Sequence, residues 1–275
     1  MADFTIEPHL ADALGRLGEA KDERLRELTA AFTRHMFAFI EEVRPTEQEW
    51  LAGIEFLTAV GQECDDKRQE FILLSDMLGV TMLVDYLNHG SAPGVTETSV
   101  LGPFHREGAP KLDNGTTISQ DGIGEPVVIS GRVTDEAGAP ITGAVLDVWQ
   151  TAANGLYEVQ DDSQPDYNLR GIFTTDGDGR YALRTVKPVS YPVPIDGPVG
   201  ALMTALGRHS YRPAHVHFIV SAEGYKPVVT QLFTDDDPYL RSDAVFGVKG
   251  SLVVTYQRGA EEWRVTYDFG LERAA

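Results

Sequence analysis

Val127-Val128-Ile129-Ser130-Gly131-Arg132-Val133, then Asp135-Glu136-Ala137-Gly138-Ala139-Pro140, then Ala144-Val145-Leu146-Asp147-Val148-Trp149: this succession decides the fold class. Two short apolar, β-branched runs flank a segment of turn residues. The same grammar recurs downstream. Asp176-Gly177-Asp178-Gly179 marks a turn before a strand at 180–186, and Phe218-Ile219-Val220 continues another strand. Residues 252–256 and 263–267 read as a closing hairpin. Short strands with frequent Gly and Pro turns predict an antiparallel β-sandwich over residues 101–275. A short inserted helix is expected over 200–207.

Upstream, the periodicity changes. From Ala20 to Val43, Leu25, Leu28, Phe32, Met36 and Ile40 recur at three- and four-residue spacing, which predicts a helix that Pro45 stops. Thr46-Glu47-Gln48-Glu49 predicts a capping box opening a second helix. A third helical stretch runs from Gln69 to Leu87, with Gly79 as a break, and Asn88-His89-Gly90 ends it. Residues 1–100 therefore read as a helical region, and the whole chain as α+β. The apolar stripe of 20–43 must be buried somewhere, which predicts a homodimer joined through these helices.

The chain has 275 residues, 42% of them hydrophobic, enough for one large domain with a helical appendage. No apolar run approaches the roughly 18 residues of a membrane span. Met1-Ala2-Asp3-Phe4-Thr5 lacks the basic and apolar regions of a secretory leader, and Cys64 is the sole cysteine, so a cytoplasmic location is expected. A formal charge of −19 disfavours nucleic acid and anionic lipid surfaces as main partners and suits a small-molecule substrate.

Arg212-Pro213-Ala214-His215-Val216-His217 carries the chemistry. Histidines at i and i+2 of a strand share one face. Alone, the pair reads as half of a metal site or as two ordinary strand histidines. No Cys, His or carboxylate stands at a conventional zinc spacing nearby, and Asp235-Asp236-Asp237 before Pro238 reads as a solvated turn. Tyr157 and Tyr191 each read alone as core or surface residues. Together with the histidines they would suit a hard trivalent cation, because two phenolates offset its charge.

The order Tyr157, Tyr191, Arg-x-x-His-x-His resembles the intradiol ring-cleaving dioxygenases. The likeness extends to Leu101-Gly102-Pro103-Phe104, Asp147-Val148-Trp149-Gln150, Gly207-Arg208-His209, Thr230-Gln231 and Asp237-Pro238-Tyr239. It covers nearly the whole chain. The resemblance implies a prealbumin-like sandwich and one Fe(III) per chain. It makes Tyr157, Tyr191, His215 and His217 the metal ligands, with Tyr191 and His217 axial. It gives Arg212, Tyr191 and Gln231 catalytic roles. Leu73, Asp76, Val100, Leu101, Gly102, Pro103, Phe104, Val193, Pro194 and Val245 are the expected substrate contacts. An acid at Asp76, together with 191–194 and 242–248, is similar to the branch that cleaves hydroxyquinol (benzene-1,2,4-triol). Catechol cleavage is the alternative. The resemblance also implies dimerisation through the N-terminal helices, with a phospholipid between them. Residues 129–135 and 178–181 suit equally a prealbumin-like module that only binds a ligand.

Overall fold

A computed structural model describes residues 5–65, 68–90 and 92–274. Met1 to Phe4, on which the leader reading leans, lie outside these. The helices are α1 (Ile6–Gly15), α2 (Glu23–Val43), α3 (Glu47–Gln62), α4 (Glu70–Met77), α5 (Val80–His89) and α6 (Pro198–Ala205). The strands are β1 (Pro126–Asp135), β2 (Val145–Trp149), β3 (Arg170–Thr174), β4 (Arg180–Val186), β5 (Tyr191–Pro192), β6 (Tyr211–Arg212), β7 (His215–Ser221), β8 (Val228–Thr234), β9 (Val253–Val254), β10 (Gln257–Arg258), β11 (Trp263–Thr266) and β12 (Phe269–Leu271). Helices precede sheets, the α+β order expected.

The chain divides into two compact units, with the boundary between Ala59 and Val60. Helices α4 and α5, grouped on sequence with residues 1–100, thus belong to the unit that holds the strands. Two contacts explain this. The buried Glu70 of α4 accepts the Val199 N–H at the start of α6, at 3.0 Å, and Lys249 reaches Asp85 of α5 at 2.8 Å.

In the first unit, α2 starts at the Asp22 cap, whose side chain accepts the Leu25 N–H, rather than at Ala20. The capping box forms as expected: Glu49 N–H donates to Thr46 Oγ1 and Thr46 N–H to Glu49 Oε2. Helix α1 was not foreseen. Pro8 discourages a helical reading, yet it falls in the first turn, where its missing N–H costs nothing. Neither α1 nor α2 has a buried residue. Gly79, with φ +76°, separates α4 from α5 in the second unit, as its position suggested.

The second unit stacks two five-stranded sheets. One runs β10-β11-β1-β12, with β4 also on β1; the other runs β3-β2-β7-β8-β9. The sandwich is mixed rather than antiparallel, because β1 pairs in parallel with β11 and β12, and β8 with β9. The expected closing hairpin is also not there. Val253 and Val254 join β8, while Trp263 to Thr266 join β1, so the chain crosses from one sheet to the other. Only Gln257 and Arg258 pair with β11. Val127, Ile129, Val133, Leu183 and Phe269 of one sheet pack against Leu146, Val148, Val216, Phe218 and Val220 of the other. Strand period sends Val216, Phe218 and Val220 into this core, so His215 and His217 project from the opposite face of β7.

Candidate active site

Three neighbouring strands set the histidines. In register, Trp149 of β2 lies beside His217 of β7, which lies beside Gln231 of β8. The Trp149 indole stacks on His217, centroids 4.7 Å apart and planes 9° apart. Both histidines are almost fully buried. His215 Nδ1 faces the Pro213 carbonyl at 2.7 Å, so Nδ1 carries the proton and Nε2 keeps its lone pair. That lone pair points at His217 Nε2, 3.0 Å away.

The tyrosines arrive from loops. Leu156 N–H donates to Asn154 Oδ1, an Asx-turn that delivers Tyr157 into the sheet face. Tyr191 sits on the two-residue ribbon β5–β6, paired directly with Arg212. Tyr157 Oη lies 3.1 Å from His217 Nε2 and 3.2 Å from Tyr191 Oη. Four potential donors thus converge from positions 157, 191, 215 and 217. Burial pushes the Tyr157 phenol well above its ordinary pKa, and Tyr191 beside it adds to the shift. Burial, helped by Arg212, holds His215 well below its ordinary value; burial and then His215 do the same to His217. Two uncharged imidazoles and two phenol oxygens gathered at one point offer a cation a set of neutral and ionisable donors. Neighbouring donors about 2.0–2.2 Å from a common metal stand about 3–3.6 Å apart, and the Tyr157–Tyr191, Tyr157–His217 and His215–His217 separations fall in that range. The residues fit a metal, and tyrosinate oxygen suits a hard one. Among the described residues no group of three His, Cys, Asp or Glu could hold a metal ion.

Arg212 is buried, as expected of a residue aimed inward. Its Nε and Nη2 donate to Asp243 at 3.2 and 3.3 Å, Nη2 to Gln231 Oε1 at 2.7 Å, and Nη1 stands 3.2 Å from His215 Nε2. Burial opposes its charge, but Asp243 and the two phenols outweigh burial and keep it protonated. Gln231 Nε2 donates to the Val100 carbonyl at 2.5 Å, which fixes the amide. Asp243 was quoted only as part of 242–248; its role as the partner of Arg212 carried no local signal, since the two are 31 residues apart.

A cavity of about 660 Å³ opens beside Tyr191 and Arg212. Its lining includes Leu73, Asp76, Val100, Gly102, Pro103, Phe104, Val193, Pro194 and Val245, the set the sequence proposed apart from Leu101. Leu101 is 42% exposed and does not line it. Leu101 precedes Gly102, whose φ of +73° bends the chain there. Sequence reasoning missed Arg68, Glu70, Ile72, Ile195 and Asp196, all of which line the same space. Asp76 is 8% exposed, and its Oδ1 has no hydrogen-bond partner. Burial raises its pKa, against a hydrogen bond from Thr81 and the charge of Arg212.

Comparisons with known proteins agree with this geometry. A family profile described as "Dioxygenase" matches residues 100–273, and one described as "Catechol dioxygenase N terminus" matches 22–96. The chain is 49% identical to a hydroxyquinol 1,2-dioxygenase of Rhizobium sp., over 98% of this chain and 96% of that one. A catechol 1,2-dioxygenase of Candida albicans is 37% identical, over 93% and 88%. The crystal structure of a Pseudomonas putida hydroxyquinol 1,2-dioxygenase superposes with a TM-score of 0.94 at 47% identity, covering 98% of this chain and 99% of that one. With its buried Tyr, Tyr, His, His cluster and these matches along nearly its whole length, the chain belongs to the intradiol ring-cleavage dioxygenase family.

Proposed function

We propose that this chain cleaves hydroxyquinol between its 1- and 2-hydroxyls with O2, giving 3-hydroxy-cis,cis-muconate, the tautomer of maleylacetate. Both oxygen atoms end in the product, and the ring supplies the electrons. The observation that carries the choice of substrate is the partnerless Oδ1 of Asp76, nearly buried in the lining of the cavity. A third ring hydroxyl entering an apolar cavity loses its water and needs such a partner. Full-length similarity to hydroxyquinol-cleaving enzymes supports the same reading.

The family implies non-haem iron. Tyr157, Tyr191, His215 and His217 would hold one Fe(III) per chain. When bound, the ion supplies Lewis acidity to the diol oxygens and draws electron density from the ring toward reaction with O2. Tyr191 Oη takes one of the two protons the diol gives up. Tyr157, stacked on Phe104 at 4.5 Å, stays in place. The Arg212 guanidinium stabilises negative charge on the ring, and Gln231 and Asp243 hold it there. Leu73, Val100, Gly102, Pro103, Val193, Pro194 and Val245 exclude water and set the ring plane.

Catechol is the second reading, favoured by the N-terminal profile's description and the Candida relative. It leaves Asp76 Oδ1 without a partner. A module that only binds a ligand does not account for four buried metal-type donors at one point. Oxygen uptake with hydroxyquinol and with catechol tests the assignment. Equal kcat/KM for the two removes the basis for hydroxyquinol. Colourless protein with stoichiometric zinc removes the basis for iron.

In this reading residues 101–275 carry every metal ligand, while 1–100 supply Leu73, Asp76 and the surface of a homodimer. No helix among the described residues is long and apolar enough to cross a membrane. A lone Cys64 supports a cytoplasmic setting. A groove of about 600 Å³, lined by Ile6, His9, Met36, Phe37, Ile40, Glu41, Arg44 and Pro45, supports a phospholipid at the dimer interface.

A further inference from the structure

Two guanidinium groups line the cavity, Arg212 and Arg68, and ring cleavage gives a role to the first alone. Arg212 lies among the buried lining residues and is occupied by Asp243 and Gln231. Arg68 lies where the lining opens to water, beside Ile72 (53% exposed), Ile195 (57%) and Asp196. Its Nη2 stands 3.0 Å from both Glu70 Oε2 and Asp196 Oδ1, and its Nη1 3.1 Å from Glu63 Oε1. Nη2 nevertheless makes no well-aligned hydrogen bond, although it is shielded from solvent.

The two carboxylates on Nη2 differ. Glu70 has a 1% exposed side chain, accepts the Val199 N–H and cannot leave without orphaning it. Asp196 has a 74% exposed side chain, and Arg68 is its ion-pair partner among the described residues. It can rotate into water at little cost. One guanidinium edge at the cavity mouth is therefore held by an exchangeable carboxylate.

The chemistry supplies a competitor. The substrate of the proposed reaction enters uncharged, and its cleavage creates two carboxylic acids that ionise at neutral pH. A chain of net charge −19 repels such a dianion everywhere except at local cations. We propose that Arg68 is a dock for one carboxylate of a linear, unsaturated six-carbon dicarboxylate, the class to which the product belongs, and that Asp196 competes with this carboxylate for the guanidinium. This rests on the reading of the reaction given above. The dock gives the departing product a station between the floor of the cavity and bulk water, and Asp196 displaces it there.

The test is binding, without turnover. cis,cis-Muconate is titrated calorimetrically into the iron-loaded protein and its variants. Arg68→Gln weakens binding about tenfold, the loss of one charge-assisted carboxylate contact. Asp196→Asn tightens it about threefold, because the competitor no longer carries charge. Arg180→Gln, the same charge change at the exposed start of β4, stays within about twofold. Opposite shifts at 68 and 196 uphold the dock. No measurable muconate binding, unchanged affinity in Asp196→Asn, or shifts of equal sign at the two positions overturn it. Asp196 is exposed, so that arm remains readable if Arg68→Gln folds poorly. Opposite shifts in a protein inactive on hydroxyquinol would remove the substrate assignment alone; brisk cleavage with flat binding would remove the dock alone.

Discussion

Strand β7 takes two histidines out of water, at 2% and 1% exposure, while helix α2 puts Leu25, Leu28 and Phe32 into it, at 59%, 52% and 66%. Each region breaks the usual sorting of side chains, in opposite senses. A buried polar group needs a partner it cannot find in solvent. An exposed apolar stripe needs one it cannot find in its own helix. The first deficit is local and chemical, and a cation among the four donors would answer it. The second is extended and generic, and only another apolar surface answers it. A misplaced residue thus points to a missing component, and its polarity says which kind.

The sharpest way to break this contrast is to remove a donor. His217→Ala should strip the iron and lower activity by far more than the roughly 10–100-fold that loss of a mere supporting partner produces. Metal analysis and the visible tyrosinate band report it directly. Tyr191→Phe should shift that band and slow substrate deprotonation, whereas Tyr157→Phe should chiefly weaken iron retention. Full activity and an unchanged spectrum in both would dissolve the ligand assignment.

The helical half of the contrast is tested by charge. Phe32→Asp should weaken dimerisation at least about a hundredfold, since an unpaired carboxylate in an apolar interface costs about 3 kcal/mol or more. Sedimentation from micromolar down to nanomolar protein measures it. A parent that is monomeric throughout would show that α2 is not an interface between copies.

Asp76 sharpens the comparison inside the cavity. Asp76→Ala should reduce the preference for hydroxyquinol over catechol about 10–100-fold, because a site built to pair a hydroxyl loses its means of rejecting the analogue without one. The ratio of kcat/KM values for the two substrates is the measurement, and a ratio that does not move separates Asp76 from specificity.

The smallest expected effect lies between α5 and the sandwich. Burial alone would raise the Asp85 pKa, but Lys249 and Thr98 more than offset this and leave it lowered. A depressed folded value means that the contribution to stability is complete above the unfolded value of about 3.9 and is lost as pH falls through the folded one. Lys249→Met should therefore cost about 1 kcal/mol at pH 7 and flatten the acid limb of the stability curve below pH of about 4. Identical acid limbs in parent and variant would show that the pair adds nothing.

Much of this was legible in residue order. The capping box at Thr46, the break at Gly79 and the strand at 127–133 follow from local rules, and the structure has all three. His-x-His spacing gave a shared face, because strand period is two. What local rules missed depends on partners far along the chain. The parallel pairing of β1 with β11 joins residues more than 130 apart, and no hydrophobic alternation distinguishes it from a hairpin. The convergence of Tyr157 with His217 spans 60 residues and entered through family resemblance, not through spacing. Asp243 and Arg68 went unrecognised because an isolated charge on a loop looks the same whether it holds a buried arginine, lines a cavity or meets water. Leu101 was carried along by its motif neighbours, although a single glycine turns it away from them.

Register gives the site an evolutionary brittleness. His215 and His217 face Phe233 and Gln231 across one continuous ladder. Deleting a single residue between Pro213 and His215 while the strand kept its place would exchange the two faces of β7 at their common boundary. His217 would move into the sandwich core, His215 would leave the strand, and valine and phenylalanine would take their places. Loss of catalysis by this route has no half-way stage: one codon separates an oxygenase from an inert sandwich of the same shape. A lineage inactivated by this route would therefore keep both histidines in its sequence, one residue out of register with the strands beside them.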